Sequence, residues 1–188
     1  MKQLEAIGLV QYFLYERIDP EVGWNTAFLG PNGTGKTALL DALQIVLLAA
    51  DSNRTHFNAS GEGKKRSRSL REYCLGVYGQ TEAERFRPSA NTYINLVFRD
   101  AQTSVPITAG VSLAAQAGNQ EISFNSLYIL PGVALTTIAH TDTEGGRETI
   151  MPWRKFQQVA GDLCRMEGTT PVFTSNRDDF PAGYSSSI

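Results

Sequence analysis

The sequence predicts an α/β fold organised around a glycine-rich loop, with an antiparallel sheet added to it. Three observations lead there. A β-prone run at 24–29 feeds directly into Gly30-Pro31-Asn32-Gly33-Thr34-Gly35-Lys36-Thr37, an apolar segment free of Gly and Pro follows the loop, and further β-prone runs separated by turns fill 92–130. The 188 residues fit one domain, and a hydrophobic share of 41% supplies a core. A net charge of −2 carries no overall bias towards nucleic acid or membrane, so any DNA contact has to come from a local patch.

Taken in order, residues 4–15 alternate loosely and are rich in Leu, Ile, Val, Tyr and Phe, which predicts a strand, as does 24–29. Residues 38–50 are apolar on nearly every side and predict a helix buried against a sheet. Residues 51–66 are polar and glycine-containing, an exposed loop that runs into the basic cluster Lys64, Lys65, Arg66, Arg68 and Arg71. A short helix over 69–75 should end at Gly76, since glycine tolerates the left-handed conformation that closes helices. The runs 92–98, 105–113 and 121–130 predict an antiparallel meander, and 132–147 is a looser stretch of Thr, Gly and acids. Pro152 suits a first helical turn, with the helix reaching about Arg165. The last twenty residues read as a tail, and there are no internal repeats.

Several classes are set aside by what the chain carries. Cys74 and Cys164 lie far apart without a CxxC spacing, which argues against a zinc site or disulfide framework and for a reducing compartment. The first residues lack the basic start and apolar run of a signal peptide, and the longest apolar stretch, 45–50, is far below the roughly 20 residues that cross a bilayer. A cytoplasmic protein with no membrane partner is expected.

The loop matches GxxxxGK[ST]. Glycines there let consecutive backbone N–H groups turn around phosphate oxygens at the positive end of the following helix, so residues Gly30 to Ala38 are the expected nucleotide-binding set. Lys36 is expected to bridge the β- and γ-phosphates of ATP and act in catalysis, and the Thr37 hydroxyl to ligate Mg²⁺. Hydrolysis also needs an acidic magnesium ligand and a group that orients water. The nearest candidate, Ile94-Asn95-Leu96-Val97-Phe98-Arg99-Asp100, is interrupted by Asn95 and Arg99 and reads better as a half-exposed antiparallel strand. No Ser-Gly-Gly signature is present either.

From Gly30 through Asp41-Ala42-Leu43, with Asn-Gly inside the loop and Leu-Asp-Ala after it, the chain resembles the N-terminal head segment of SMC and Rad50-type ATPases. His56-Phe57-Asn58, the basic stretch and Arg68-Ser69-Leu70-Arg71-Glu72-Tyr73-Cys74-Leu75-Gly76 narrow the resemblance to the MukB/MksB branch, and most of all to the JetC proteins of Wadjet systems. The resemblance covers residues 1–175 and includes 153–165 and 171–174. It implies an ABC/SMC-type P-loop NTPase head of which 1–175 is the N-terminal lobe, with 176–188 a tail toward a coiled coil. It also implies that the C-terminal half of the head brings the signature motif and the catalytic acids. Two such heads, a homodimer, would engage around ATP, with hydrolysis moving or extruding DNA. The implied partners are kleisin and KITE subunits, DNA and a plasmid-cleaving nuclease. Where this family has a glutamine that contacts magnesium, the matching stretch Tyr128-Ile129-Leu130-Pro131-Gly132 offers none.

Other residues admit two readings. Lys64, Lys65, Arg66, Arg68 and Arg71 either hold DNA phosphates or belong to a solvated loop, and falling affinity with rising salt is the signature of the first. Tyr12, Phe13 and Tyr15 either place an aromatic on adenine or pack in the core. His56 either approaches the nucleotide or sits exposed in its loop, His140 has no identifiable role, and Arg17 and Arg54 are either phosphate contacts or surface solvation. The expected activity is ATP hydrolysis by the complete dimeric head, with little by this chain alone. The alternatives are a chromosome-partition ATPase, a self-contained kinase or GTPase, for which neither an NKxD motif nor an arginine-rich lid is present, and a noncatalytic nucleotide-binding module.

Overall fold

In the computed structural model, which describes residues 1–51, 54–57, 67–137, 141–144 and 146–176, the chain is built on one antiparallel sheet with helices on both faces. Strand β1 (Lys2–Tyr12) turns back into β2 (Tyr15–Ile18), and the glycine loop leads into α1 (Lys36–Leu47). The short α2 (Leu70–Leu75) precedes three long strands, β3 (Ser89–Asp100), β4 (Pro106–Gln116) and β5 (Ser123–Pro131). A small hairpin of β6 (Thr141–Glu144) and β7 (Arg147–Ile150) is followed by α3 (Trp153–Met166) and β8 (Val172–Thr174). The large sheet has the order β2-β1-β3-β4-β5-β8.

Strand periodicity sorts the sheet's side chains between two cores. Ile7 and Leu9 of β1, Ile94 and Leu96 of β3, Val111 of β4 and Leu127 and Ile129 of β5 point to one face, where α1 and α2 bury Ile45, Val46, Tyr73 and Leu75 against them. Tyr93, Tyr128 and Leu130 point to the other, where α3 contributes Phe156, Ala160 and Cys164. Across that second face Gly8, Asn95, Gly110, Tyr128 and Phe173 stand in register on five adjacent strands. The two glycines are steric necessities: a Cβ at Gly8 would lie 2.8 Å from the Thr136 backbone, and one at Gly110 would lie 2.4 Å from the Tyr128 ring. In the room they leave, Asn95 Nδ2 donates to the Thr136 carbonyl at 2.5 Å, and the Tyr128 hydroxyl donates to Asn95 Oδ1 at 2.5 Å.

The predicted meander is present with longer strands, and the helix ending at Gly76 forms as expected. Several expectations are corrected. The run 4–15 is a hairpin, not one strand: Phe13 takes φ 49, and this costly conformation is held by its N–H donating to the Tyr73 carbonyl at 2.7 Å. Residues 24–29 form no strand, because a strand exists only through pairing and the sheet ends at β2; Trp24 and Leu29 remain 65% and 91% exposed. The antiparallel sheet expected as an addition is therefore the main sheet, and every strand pair among the described residues is antiparallel. Helix α1 stops at Leu47, since Ala49 and Ala50 turn left-handed to bury Ala50, and its Leu40 and Leu47 face solvent. The loose stretch 132–147 contains β6, whose hairpin with β7 turns at Gly146 with φ 79. Pro152 caps α3 from extended backbone, just before the first turn. Within the expected tail, Val172–Thr174 pairs with β5 and completes the sheet, while 177–188 lie outside the described residues. The strand 94–100 is antiparallel as expected, but it is half-exposed only over 98–100, since residues 94–97 lie buried in the centre of the sheet. No helix among the described residues is long and apolar enough to cross a membrane.

Candidate phosphate-binding site

The loop Gly30 to Gly35 follows the unpaired segment and ends on the N-terminus of a 12-residue helix. Gly33 and Gly35 take φ 85 and 89, values that a side chain at either position would resist. Gly35 is the N-cap of α1 and makes no side-chain cap, and the first turn holds no acidic residue. The backbone donors of that turn are thus free of side-chain caps at the positive end of the helix dipole. The Lys36 ammonium lies over the loop and donates to the carbonyls of Gly30 at 2.6 Å and Pro31 at 2.7 Å. Thr34 Oγ1 donates to the same Pro31 carbonyl at 2.9 Å, which closes the loop on itself.

This donor set fits a polyphosphate: amides, one ammonium, no competing carboxylate, and open space where a Cβ on Gly33 would lie. Thr37 is exposed on the first turn, so its hydroxyl can reach a magnesium ion, which would neutralise charge on the phosphates. Ala38 is 2% exposed and offers only its backbone N–H. Asn32 and Pro31 lie on the exposed rim. Residues Gly30 to Ala38 thus form one local unit, the loop and the first turn of α1.

Beneath the loop, α1 carries one buried acid. The Tyr73 hydroxyl donates to Asp41 Oδ2 in a short bond, and Gln44 spans from Asp41 Oδ1 to the His56 N–H, which donates to Gln44 Oε1 at 3.3 Å. Burial first, and this bond second, push the Tyr73 phenol well up from its usual range. Tyr12 stacks on Tyr73 with ring centres 5.0 Å apart, and Phe13 meets Tyr73 edge-on, so these two aromatics are core residues and do not face a ligand. Tyr15 differs: its hydroxyl donates to the Thr34 carbonyl at 3.0 Å, on the flank of the glycine loop. His56 is exposed, with its backbone tied to α1.

Arg87, which gave no signal in the sequence, anchors this corner. It is 8% exposed, and its guanidinium donates to the carbonyls of Phe13, Cys74 and Tyr15 and to the Glu16 carboxylate. Desolvation lowers its pKa, and Glu16 partly offsets the shift. The Cys74 thiol nearby is pushed up to about 11 by burial and is unsuited to nucleophilic chemistry.

The basic cluster divides. Arg68 stacks over the Phe13 ring at 4.3 Å and donates to the Val77 carbonyl. Arg71 makes a two-pronged pair with Glu82 at 2.6 Å and also donates to the Gln116 carbonyl. That pairing raises the Arg71 pKa and holds the Glu82 carboxyl below its ordinary value. Lys64, Lys65 and Arg66 lie outside the described residues, as does His140. Arg17 lines a polar groove at the far side of the β1–β2 hairpin, and Arg54 pairs with Asp51 at 3.8 Å.

The acid at the end of β3 does not approach the loop. Asp100 pairs with Lys2, whereas the loop is held by Tyr15 at the other end of β1, about 30 Å away at the usual strand rise. Its carboxylate caps a turn by accepting from the Thr103 and Gln102 N–H groups, which bring its pKa down to about 2. Among the described residues no three His, Cys, Asp or Glu side chains cluster as a metal site.

A family model described as the P-loop containing region of AAA domain matches residues 4–64, about a third of the chain. The matched span starts in β1 and takes in the whole glycine loop and α1. The N-terminal part is therefore similar to P-loop nucleotide-binding regions, in agreement with the loop's geometry. No curated protein matches the chain.

Proposed function

We propose that this chain is the ATP-binding N-terminal lobe of an SMC-like motor head of the MukB/MksB branch, most like the JetC proteins of Wadjet systems. Together with the C-terminal half of the head and a second head, it binds and hydrolyses ATP to move or extrude DNA in plasmid defence. The observation that carries this reading is the approach to the glycine loop. The phosphate cradle is fed by residues 24–29, where Trp24 and Leu29 are exposed, Phe28 is half-buried against the core, and the backbone joins no strand. Exposed apolar side chains beside unpaired backbone favour pairing with a strand from another polypeptide segment. The exposed Leu40 and Leu47, two turns apart on α1, extend the apolar surface that such a segment would cover.

On this reading Lys36 acts on the β- and γ-phosphates and Thr37 on magnesium, and the acidic ligand comes from the other half. DNA contact falls to Lys64, Lys65 and Arg66, because Arg68 and Arg71 are already bonded within the lobe. Kleisin, KITE and nuclease subunits complete the assembly.

ATP binding and turnover by the purified chain, with Lys36→Ala as control, test the proposal. The expected result is binding that Lys36→Ala weakens at least tenfold and no turnover until the C-terminal half is added. Turnover by the chain alone that vanishes in Lys36→Ala would instead make it a self-contained P-loop enzyme. Binding without turnover in the full assembly would make it a nucleotide-dependent switch.

A further inference from the structure

We infer that Tyr15 is a positioning residue for phosphate binding, acting through the peptide between Thr34 and Gly35; this rests on the nucleotide-binding reading above. Three observations converge on it. The Tyr15 hydroxyl donates to the Thr34 carbonyl at 3.0 Å, across 19 residues of sequence. The Tyr15 ring lies directly against Gly35, where an added Cβ would fall 2.5 Å from the hydroxyl oxygen and 2.9 Å from the ring carbon that bears it. The Tyr15 backbone is itself fixed, because its carbonyl accepts from the buried Arg87 guanidinium at 3.2 Å.

The physical consequence follows from peptide geometry. The bond between Thr34 and Gly35 is trans and planar, so its carbonyl and its N–H point in opposite directions. Fixing the Thr34 oxygen on the Tyr15 side aims the Gly35 N–H away from Tyr15. Gly35 is also the N-cap of α1, so the held peptide is the one that joins the loop to the helix. A glycine on each side of Thr34 leaves this peptide free to rotate, and a free peptide loses conformational entropy when it closes on an anion. Tyr15 removes that freedom beforehand. Its role is distinct from stacking on a base, since it is the hydroxyl that does the holding.

The discriminating variant is Tyr15→Phe, which keeps the ring against Gly35 and deletes only the hydroxyl. The wild-type chain and Tyr15→Phe are titrated calorimetrically at low temperature with Mg-ATP and with inorganic tripolyphosphate, and the Gly35 amide is followed by NMR. Loss of one such bond predicts affinity for both ligands weakened roughly 3- to 10-fold. The Gly35 amide resonance should shift while those of β4 stay in place. Equal affinities in the two proteins overturn the inference. So does a loss for ATP that spares tripolyphosphate, which would mean that Tyr15 acts on the base. A wild-type chain that binds neither ligand overturns the phosphate reading and this inference with it, whereas weakening by Lys36→Ala alone overturns only the inference.

Discussion

Tyr12 and Tyr73 stack beneath the glycine loop, yet their hydroxyls fare differently. Tyr73 donates to the buried Asp41, while the Tyr12 hydroxyl is buried without a hydrogen-bond partner. Burying an unsatisfied hydroxyl is unfavourable, so Tyr12→Phe should leave stability unchanged or raise it by up to about 1 kcal/mol. Tyr73→Phe, which takes a donor from a buried carboxylate, should lower it by about 2 kcal/mol. Urea denaturation of both variants checks the contrast, and equal losses would mean that Tyr12 has a partner in solution. At this scale the sequence was legible where the chemistry is local. Lys36 and Thr37 stand out through a fixed motif spacing, whereas Asp41 was read only as part of Leu-Asp-Ala, with no sign of its buried bond to Tyr73. Asn95 and Arg87 were opaque because their partners are distant in sequence: Thr136 lies 41 residues from Asn95, and Phe13 lies 74 from Arg87.

The elements divide in the same way. Helix α2 is written in its own residues. The Ser69 side chain accepts from the Glu72 N–H while Glu72 bonds back to the Ser69 N–H, and Gly76 closes the helix at φ 68. Ser69→Ala should destabilise the chain by about 1 kcal/mol through loss of the cap. Gly76→Ala should do more, about 2 kcal/mol or above, because it adds left-handed strain and places a Cβ 2.6 Å from the Phe13 carbonyl. Thermal melts rank the two, and the reverse order would show that the α2 cap matters more than its contact with the β1–β2 hairpin. The long strands β3, β4 and β5 were legible from composition and turns. Residues 24–29 misled because composition reports willingness to pair and carries no information about whether a neighbour is there.

For the molecule as a whole, the approach to the glycine loop and helix α1 carry four of the exposed large apolar side chains among the described residues. Leu29 is 91% exposed, Trp24 65%, Leu47 59% and Leu40 51%. Exposed apolar groups beside unpaired backbone favour association, so the isolated chain should self-associate with rising concentration, and Leu29→Glu should shift it towards monomer with stability within about 0.5 kcal/mol. Sedimentation across a concentration series checks this, and a monodisperse wild-type chain would show that the surface is not sticky in water. The antiparallel meander and the helices that follow the glycine loop and Pro152 could be anticipated one by one, without the faces on which they pack. What could not be anticipated is that the meander is the backbone of the fold, because that depends on β1 pairing with a strand some eighty residues later.

That pairing also orders events in time. The first strand emerges early during synthesis, but its neighbour β3 and the guanidinium of Arg87 follow only after the loop, α1 and α2 have been made. Until then the segment carrying Lys36 has neither the sheet to rest on nor the fixed Tyr15 to lean against. A chain that lacks β3 and Arg87 should therefore leave its glycine loop unformed, so nucleotide binding reports on the pairing of β1 with β3, which the loop's own residues do not supply.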